Sequence, residues 1–203
     1  RAVDLLAVGE LLVDMISTEP TDSLATAGEF RRYQGGSPAN IASNVARLGG
    51  RAALMARVGD DALGSFLRDA LAEVGVETAP VRTHPTAHTS VVLVARTAAT
   101  PDFLPMRDAD FRLEPEDLEE AVARSRAVHV STWPLSREPA RTVARRALRL
   151  AHDAGRLTSL DPNYTPRIWP DRQEALEILA QVLPDVEVIK PSEDDARRLF
   201  DET

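Results

Sequence analysis

The chain has 203 residues, a net charge of −8 from 32 acidic and 24 basic side chains, no cysteine, and 43% hydrophobic against 28% charged residues. That balance belongs to a soluble globular protein of one sizeable domain; no apolar run approaches the length of a membrane span, and an acidic chain without a basic run excludes a nucleic-acid surface. Without cysteine there is neither a disulfide framework nor a thiol site, and without a signal-peptide pattern the expected compartment is the cytoplasm.

In chain order, Leu5 to Val8 predicts a short strand that ends at Gly9-Glu10. Leu11 to Ile16 stays apolar except at Asp14. A carboxylate in an apolar strand is costly without partners, so Asp14 either caps a turn or faces a polar ligand. Glu19 to Glu29 is polar and turn-rich, and Gly35-Gly36-Ser37-Pro38 follows. The two glycines allow positive φ and close approach, Ser37 is placed to cap a helix, and Pro38 fits its first position. The predicted inner face is Ile41, Val45 and Leu48, with Gly49 as the stop. Asn40 lies in the first turn, where its amide offers both donor and acceptor. Two readings stand here: a small-molecule site at a helix N-terminus, or an ordinary tight turn feeding a packed helix.

Ala52 to Val58 reads as a strand, and Gly59-Asp60-Asp61 as a turn into a helix with Leu63, Phe66, Leu67, Leu71 and Val74 at amphipathic spacing, stopped by Gly75. Ser90 to Ala95 predicts a valine-rich strand, whereas Phe103 to Asp110 shows no clean period. Glu114 to Asp117 opens a short acidic-first helix, Ala127 to Ser131 is a strand, and Arg137-Glu138-Pro139 opens a long helix with Val143, Ala147, Leu150 and Ala151 inward. After Gly155 come a strand at Leu157 to Leu160, a helix around Ala175 to Leu183, a strand at Val186 to Ile189 and a last helix near Glu193. This alternation implies right-handed crossovers and a parallel α/β sheet. Ligands of such sheets bind beyond the carboxyl ends of the strands, where Ser131, Asp161-Pro162-Asn163 and Lys190-Pro191-Ser192 fall. Lys190 is the only lysine of the chain.

No phosphate-loop lysine motif, dinucleotide glycine fingerprint or zinc-helix motif is present. The four histidines lack metal-ligand spacing, and His129, inside a strand, is expected to be a satisfied core group. Gly35, Gly36, Pro38, Asn40, Ala42, Gly49 and Gly59 fill the constrained positions of the first signature of the ribokinase-like (PfkB) family of carbohydrate kinases, and the chain resembles that family over nearly its whole length. Val8-Gly9-Glu10 through Asp14 resembles the family's first strand with its sugar-binding aspartate, and Arg57 through Gly64 its glycine-bearing turn. Asp161-Pro162-Asn163-Tyr164 through Trp169 is similar to a segment of its fructokinase and 2-keto-3-deoxygluconate kinase branches. Lys190 through Asp195 is similar to its Asn-x-x-Glu segment near the nucleotide phosphates and magnesium.

The resemblance implies a ribokinase-like three-layer α/β/α fold with a mainly parallel central sheet, plus a small β-lid from residues about 11–16 and 90–96. It implies ATP-dependent phosphorylation of a sugar hydroxyl with Mg2+, on a ketose or keto-sugar acid such as fructose or 2-keto-3-deoxygluconate. Asp14, Gly35, Gly36 and Asn40 would bind sugar hydroxyls; Arg107 and Arg167 would reach the substrate; Asn163, Lys190, Ser192 and Asp195 would lie at the nucleotide, Asp195 through a metal-bound water. A homodimer through the lid is also implied. Three departures accompany it. Thr165 replaces an arginine that reaches a substrate carboxylate, Ser192 and Asp195 replace Asn and Glu, and the family's Gly-Ala-Gly-Asp segment with the catalytic base is expected beyond Thr203. Residues 1–203 would then be the N-terminal part of one kinase domain, inactive alone. The alternative is a non-catalytic sugar-binding or degenerate paralogue.

Overall fold

In the computed structural model, which describes residues 2–97 and 101–200, β1 (Val3–Val8) occupies the middle of a parallel sheet, paired with β4 (Ala52–Gly59) and β8 (Ser125–Ser131). Beyond β8 lie β9 (Leu157–Asp161) and β10 (Val188–Ile189), and beyond β4 lies β5 (Val81–His84), in the order β10-β9-β8-β1-β4-β5. All five pairings are parallel. Every residue of β4 is buried, as expected of a strand covered on both faces.

Two cores follow from the alternation of side chains along these strands. Leu6, Val8, Val128, Val130 and Leu160 pack with α3 (Leu118–Ala123), α5 (Ala140–Asp153) and α6 (Arg172–Val182). Ala7, Leu54, Ala56 and Val58 pack on the opposite face with α1 (Ser37–Arg47) and α2 (Ala62–Glu73). The result is the expected three layers. Helix α2 starts on Asp61, whose carboxylate accepts from the Gly64 N–H at 2.8 Å. Short α4 (Thr132–Leu135) follows β8 directly, and α7 (Glu193–Phe200) is the last element. Among the described residues no helix is long and apolar enough to cross a membrane.

A second sheet of four strands stands over one end of the first: β3 (Phe30–Gly35), β2 (Leu12–Pro20), β6 (Val91–Arg96) and β7 (Phe103–Met106), in that order. The two expected lid segments are its central pair, joined in parallel register from Val13 opposite Val91. The sequence signals neither outer strand. In β3 Arg31, Arg32 and Tyr33 are exposed in succession, and β7 contains Pro105, so no period of two marks either.

Helix α1 corrects two expectations. Its buried side chains are Pro38, Ala39, Ala42 and Ser43, while Leu48 is 88% exposed and Ile41 and Val45 are half-buried. Small residues let the helix approach β1 and β4 closely; Val45 packs at the edge of that core, and Leu48 turns to solvent. The N-cap is Gly36 at φ 104°, and Ser37, the expected cap, points its hydroxyl elsewhere. Gly49 does end the helix, at φ 87°. The strand expected from Val186 is only Val188–Ile189. His129 is half satisfied: its Nδ1 lies 2.7 Å from Ser159 Oγ, while Nε2 is buried without a partner among the described residues.

Candidate functional site

Between the carboxyl ends of the central strands and the lid lies a cavity of about 430 Å3. Its floor is polar: Glu10 just past β1, Gly36, Ser37 and Asn40 of the α1 entry, Asp161 at the end of β9 and Asn163 just past it. Its roof and walls are largely apolar, with Leu12, Val92, Val94 and Phe103 from the lid, Ile41 from α1 and Trp133 from α4. Asp14 is the roof's one charged group. A polar floor under an apolar roof, with the switch from strand to loop at each strand end, is the arrangement of a small-molecule site in an α/β protein.

Asp14 sits on β2 opposite Tyr33 of β3, with its carboxylate over Gly35. A Cβ on Gly35 would lie 2.3 Å from Asp14 Oδ2, so only glycine leaves the carboxylate room. Burial pushes the Asp14 carboxyl up to about 6, and among the described residues it has no hydrogen-bond partner. Asn40 accepts a hydrogen bond at 3.0 Å from Gln34 Nε2 on its side-chain oxygen, which leaves its NH2 as a donor at the cavity. Asn163 borders the same space at φ 37°, a left-handed conformation that asparagine tolerates. Asp14, Gly36, Asn40 and Asn163 therefore meet around one cavity, with Gly35 directly behind Asp14.

Arg107 and Arg167 do not line it. Arg107 donates to Asp110 at 2.8 Å from Nε, to Ser136 Oγ at 2.7 Å and to the Trp133 carbonyl at 3.3 Å. Asp110 also accepts from Trp133 Nε1 at 2.9 Å, so Arg107 and Asp110 brace the tryptophan wall from behind. Arg167 is paired with Asp102 at 2.9 Å and lies over the Phe103 ring. The two arginines share a neighbouring cavity of about 310 Å3 with Arg137 and Ser136.

Lys190, Ser192 and Asp195 lie apart from both cavities. Ser192 and Asp195 bond reciprocally, Asp195 N–H to Ser192 Oγ at 3.1 Å and Ser192 N–H to Asp195 Oδ2 at 2.9 Å, a capping box that starts α7. Asp195 Oδ1 accepts from the Tyr164 N–H at 2.6 Å, and the residue is only 3% exposed. Its carboxylate ties α7 to the loop that carries Asn163. Among the described residues no group of three or more acidic, histidine or cysteine side chains is placed to hold a metal ion. Asp195, with both oxygens engaged, does not by itself form a magnesium site.

Three functional groups escape the sequence reading. Glu10, read only as the end of the first strand, is a buried carboxyl at the cavity floor; Ser37 donates from Oγ to Asp161 Oδ2 at 2.8 Å; and Trp133 forms a wall. A carboxylate directly after an apolar strand and a glycine was the available signal for Glu10, whereas nothing marks Trp133.

Residues 3–203 match the pfkB family of carbohydrate kinases. The ATP-dependent 6-phosphofructokinase of Thermoanaerobacterium thermosaccharolyticum is 39% identical over 201 residues, which cover 98% of this chain and 62% of that protein. The chain thus spans about three-fifths of that curated relative's length. The structure of Halothermothrix orenii fructokinase superposes with a TM-score of 0.88 at 40% identity, covering 98% of this chain and 71% of that one. That of an uncharacterized sugar kinase from Pyrococcus horikoshii in complex with ATP superposes with a TM-score of 0.87 at 27% identity, covering 97% and 66%.

Proposed function

The chain belongs to the pfkB family of carbohydrate kinases, and on that premise we propose that it carries the sugar site of an ATP-dependent kinase acting on a hydroxyl of a neutral ketose such as fructose. The observation that carries the substrate class is the charge of the cavity. Two carboxyl groups, Asp14 and Asp161, line it above the buried Glu10, and among the described residues no lysine or arginine does. Sugar hydroxyls donate well to carboxylates, while the anionic end of a keto-sugar acid would face repulsion there. Thr165 agrees with this, since it stands where the family's arginine would reach a substrate carboxylate. The similarity to a fructokinase points the same way and favours a kinase over a non-catalytic binding module.

Asp14 and the Asn40 NH2 orient the sugar, Gly35 and Gly36 let it approach the backbone, and the apolar lid excludes water as the site closes. Phosphoryl transfer asks of a protein mainly positioning and charge neutralisation, the latter supplied by a nucleotide-bound magnesium ion. ATP-complexed similarity to the Pyrococcus horikoshii sugar kinase supports ATP as donor. Exposed Asn163 and Lys190, at the ends of β9 and β10, are our candidates for contacts to its phosphates. We assign the base to the portion of the relatives that this chain does not span.

A second reading, a sugar phosphate as acceptor, is favoured by the arginine-lined cavity behind Trp133 and by the relative named as a phosphofructokinase. Calorimetry with fructose, fructose 6-phosphate and 2-keto-3-deoxygluconate separates the readings. Binding of fructose alone supports the neutral-sugar site; tighter binding of the phosphate ester establishes the second reading, and binding of none of the three sinks both.

A further inference from the structure

Helix α1 begins on Gly36, which has no side chain to cap it, and Pro38 contributes no N–H. Glu10 supplies the missing acceptor from another element: its Oε1 takes the Ser37 N–H at 3.0 Å. Its Oε2 lies 3.0 Å from Ser131 Oγ at the end of β8. The backbones are also in contact, since a Cβ on Gly36 would lie 2.3 Å from the Glu10 carbonyl oxygen. Glu10 is 1% exposed and both carboxyl oxygens are engaged, so contact with a ligand is not its task.

We propose that Glu10 is a positioning residue for the sugar site: its buried carboxyl group clamps the first turn of α1 to the ends of β1 and β8, and thereby fixes where Gly36, Ser37 and Asn40 meet the ligand. The clamp continues through the Ser37 hydroxyl to Asp161, so one line of polar contacts joins β8, β1, α1 and β9 beneath the cavity. The charged groups facing Glu10 are Asp110, itself paired with Arg107, and Asp161, with Asp14 across the cavity; none is a cation. Burial accordingly pushes the Glu10 carboxyl up to about 8. Its Oε1 accepts from the Ser37 N–H and its Oε2 from the Ser131 hydroxyl; glutamine keeps both contacts, with its oxygen on the Ser37 N–H and its NH2 on Ser131 Oγ, and alanine abolishes them. Above about pH 8 a charge appears beside Asp110, whose like charge opposes it there.

The inference rests on the sugar-site reading, and the test keeps the two apart. Fructose affinity is measured by calorimetry for the wild type, Glu10→Ala and Glu10→Gln, with hydrogen exchange of the first turn of α1 followed in the sugar-free proteins. A misplaced first turn is expected to weaken binding about tenfold or more in Glu10→Ala. Glutamine should recover most of that loss and keep its affinity where the wild type declines above about pH 8. Exchange at Asn40 and Ile41 should quicken in Glu10→Ala and return towards the wild-type rate in Glu10→Gln. Unchanged exchange in Glu10→Ala overturns the clamp whatever the sugar assay gives, as does a glutamine variant as impaired as the alanine one. A wild type that binds no sugar sinks the substrate reading, and faster exchange confined to Glu10→Ala then still supports the clamp.

Discussion

Asp14 and Glu10 are both carboxyls withdrawn from solvent without a cation beside them, and burial raises both, to about 6 and about 8. The sign of their effect on stability is the same. Each folded-state value lies above the unfolded one, so the protonated form is the one the fold favours; the stabilisation is complete below about pH 4 and is lost as pH rises towards about 8. Thermal melting of the wild type should therefore fall between about pH 5 and about pH 8, and Glu10→Gln should flatten that fall. Ligand affinity runs the other way at Asp14. If the carboxylate receives sugar hydroxyls, fructose should bind more tightly as pH rises through about 6, and Asp14→Asn should bind weakly at every pH with its melting temperature at neutral pH preserved or raised. Fructose affinity of Asp14→Asn equal to that of the wild type removes Asp14 from the site. Asn40→Ala should weaken binding without loss of stability, because Asn40 is exposed and, among the described residues, its side chain bonds only to Gln34. Gly35→Ala should abolish binding, since its methyl group would occupy the space of the Asp14 carboxylate.

Among the elements, those with a strong local signal form where the sequence places them. Helix α2, capped by Asp61 and closed by Gly75, is legible because period, cap and stop agree, and α5, opened by Pro139 and closed by Gly155, because period and stop agree. Asp61 also accepts from the Thr89 N–H and hydroxyl at 2.8 and 2.7 Å, which ties α2 to the segment entering β6. Asp61→Ala removes a helix cap and this long-range tie together, and should cost about 2 kcal/mol or more in denaturant unfolding, beyond a cap alone. A loss well under 1 kcal/mol would mean that the tie contributes nothing. Helix α1 shows where local signals mislead. Its apolar stripe at Ile41, Val45 and Leu48 has the right spacing, yet Ala39 and Ala42 face the sheet. Spacing reports that a helix has faces; which face is buried depends on how closely the neighbouring strands stand. The outer lid strands lacked even a period, since pairing with β2 and β6 supplies their order.

At the scale of the whole molecule, the cavity exists only where three strand ends, one helix entry and the lid converge. We expect the lid to mediate self-association: Tyr33, Leu104 and Met106 of its outer strands are exposed. Analytical ultracentrifugation should show a dimer that Leu104→Glu with Met106→Glu converts to a monomer, and a wild-type monomer at micromolar concentration would end that expectation. The sequence by itself determined the family and the parallel α/β order, because glycine spacing and strand-end polarity are local properties of the chain; it offered Asp14, Gly35, Gly36 and Asn40 for a sugar and Asn163 for a nucleotide only through the family resemblance, and that Asp14, Gly36, Asn40 and Asn163 line one cavity comes from the structure. Only the tertiary structure decided that Arg107 and Arg167 stand behind the aromatic walls, that Asp195 spends its carboxylate on Ser192 and Tyr164, and that Glu10 replaces Ser37 as the partner of the first turn of α1. The physical reason is that a side chain's role is set by the partners within hydrogen-bond reach, and for each of these residues at least one deciding partner is far away in sequence.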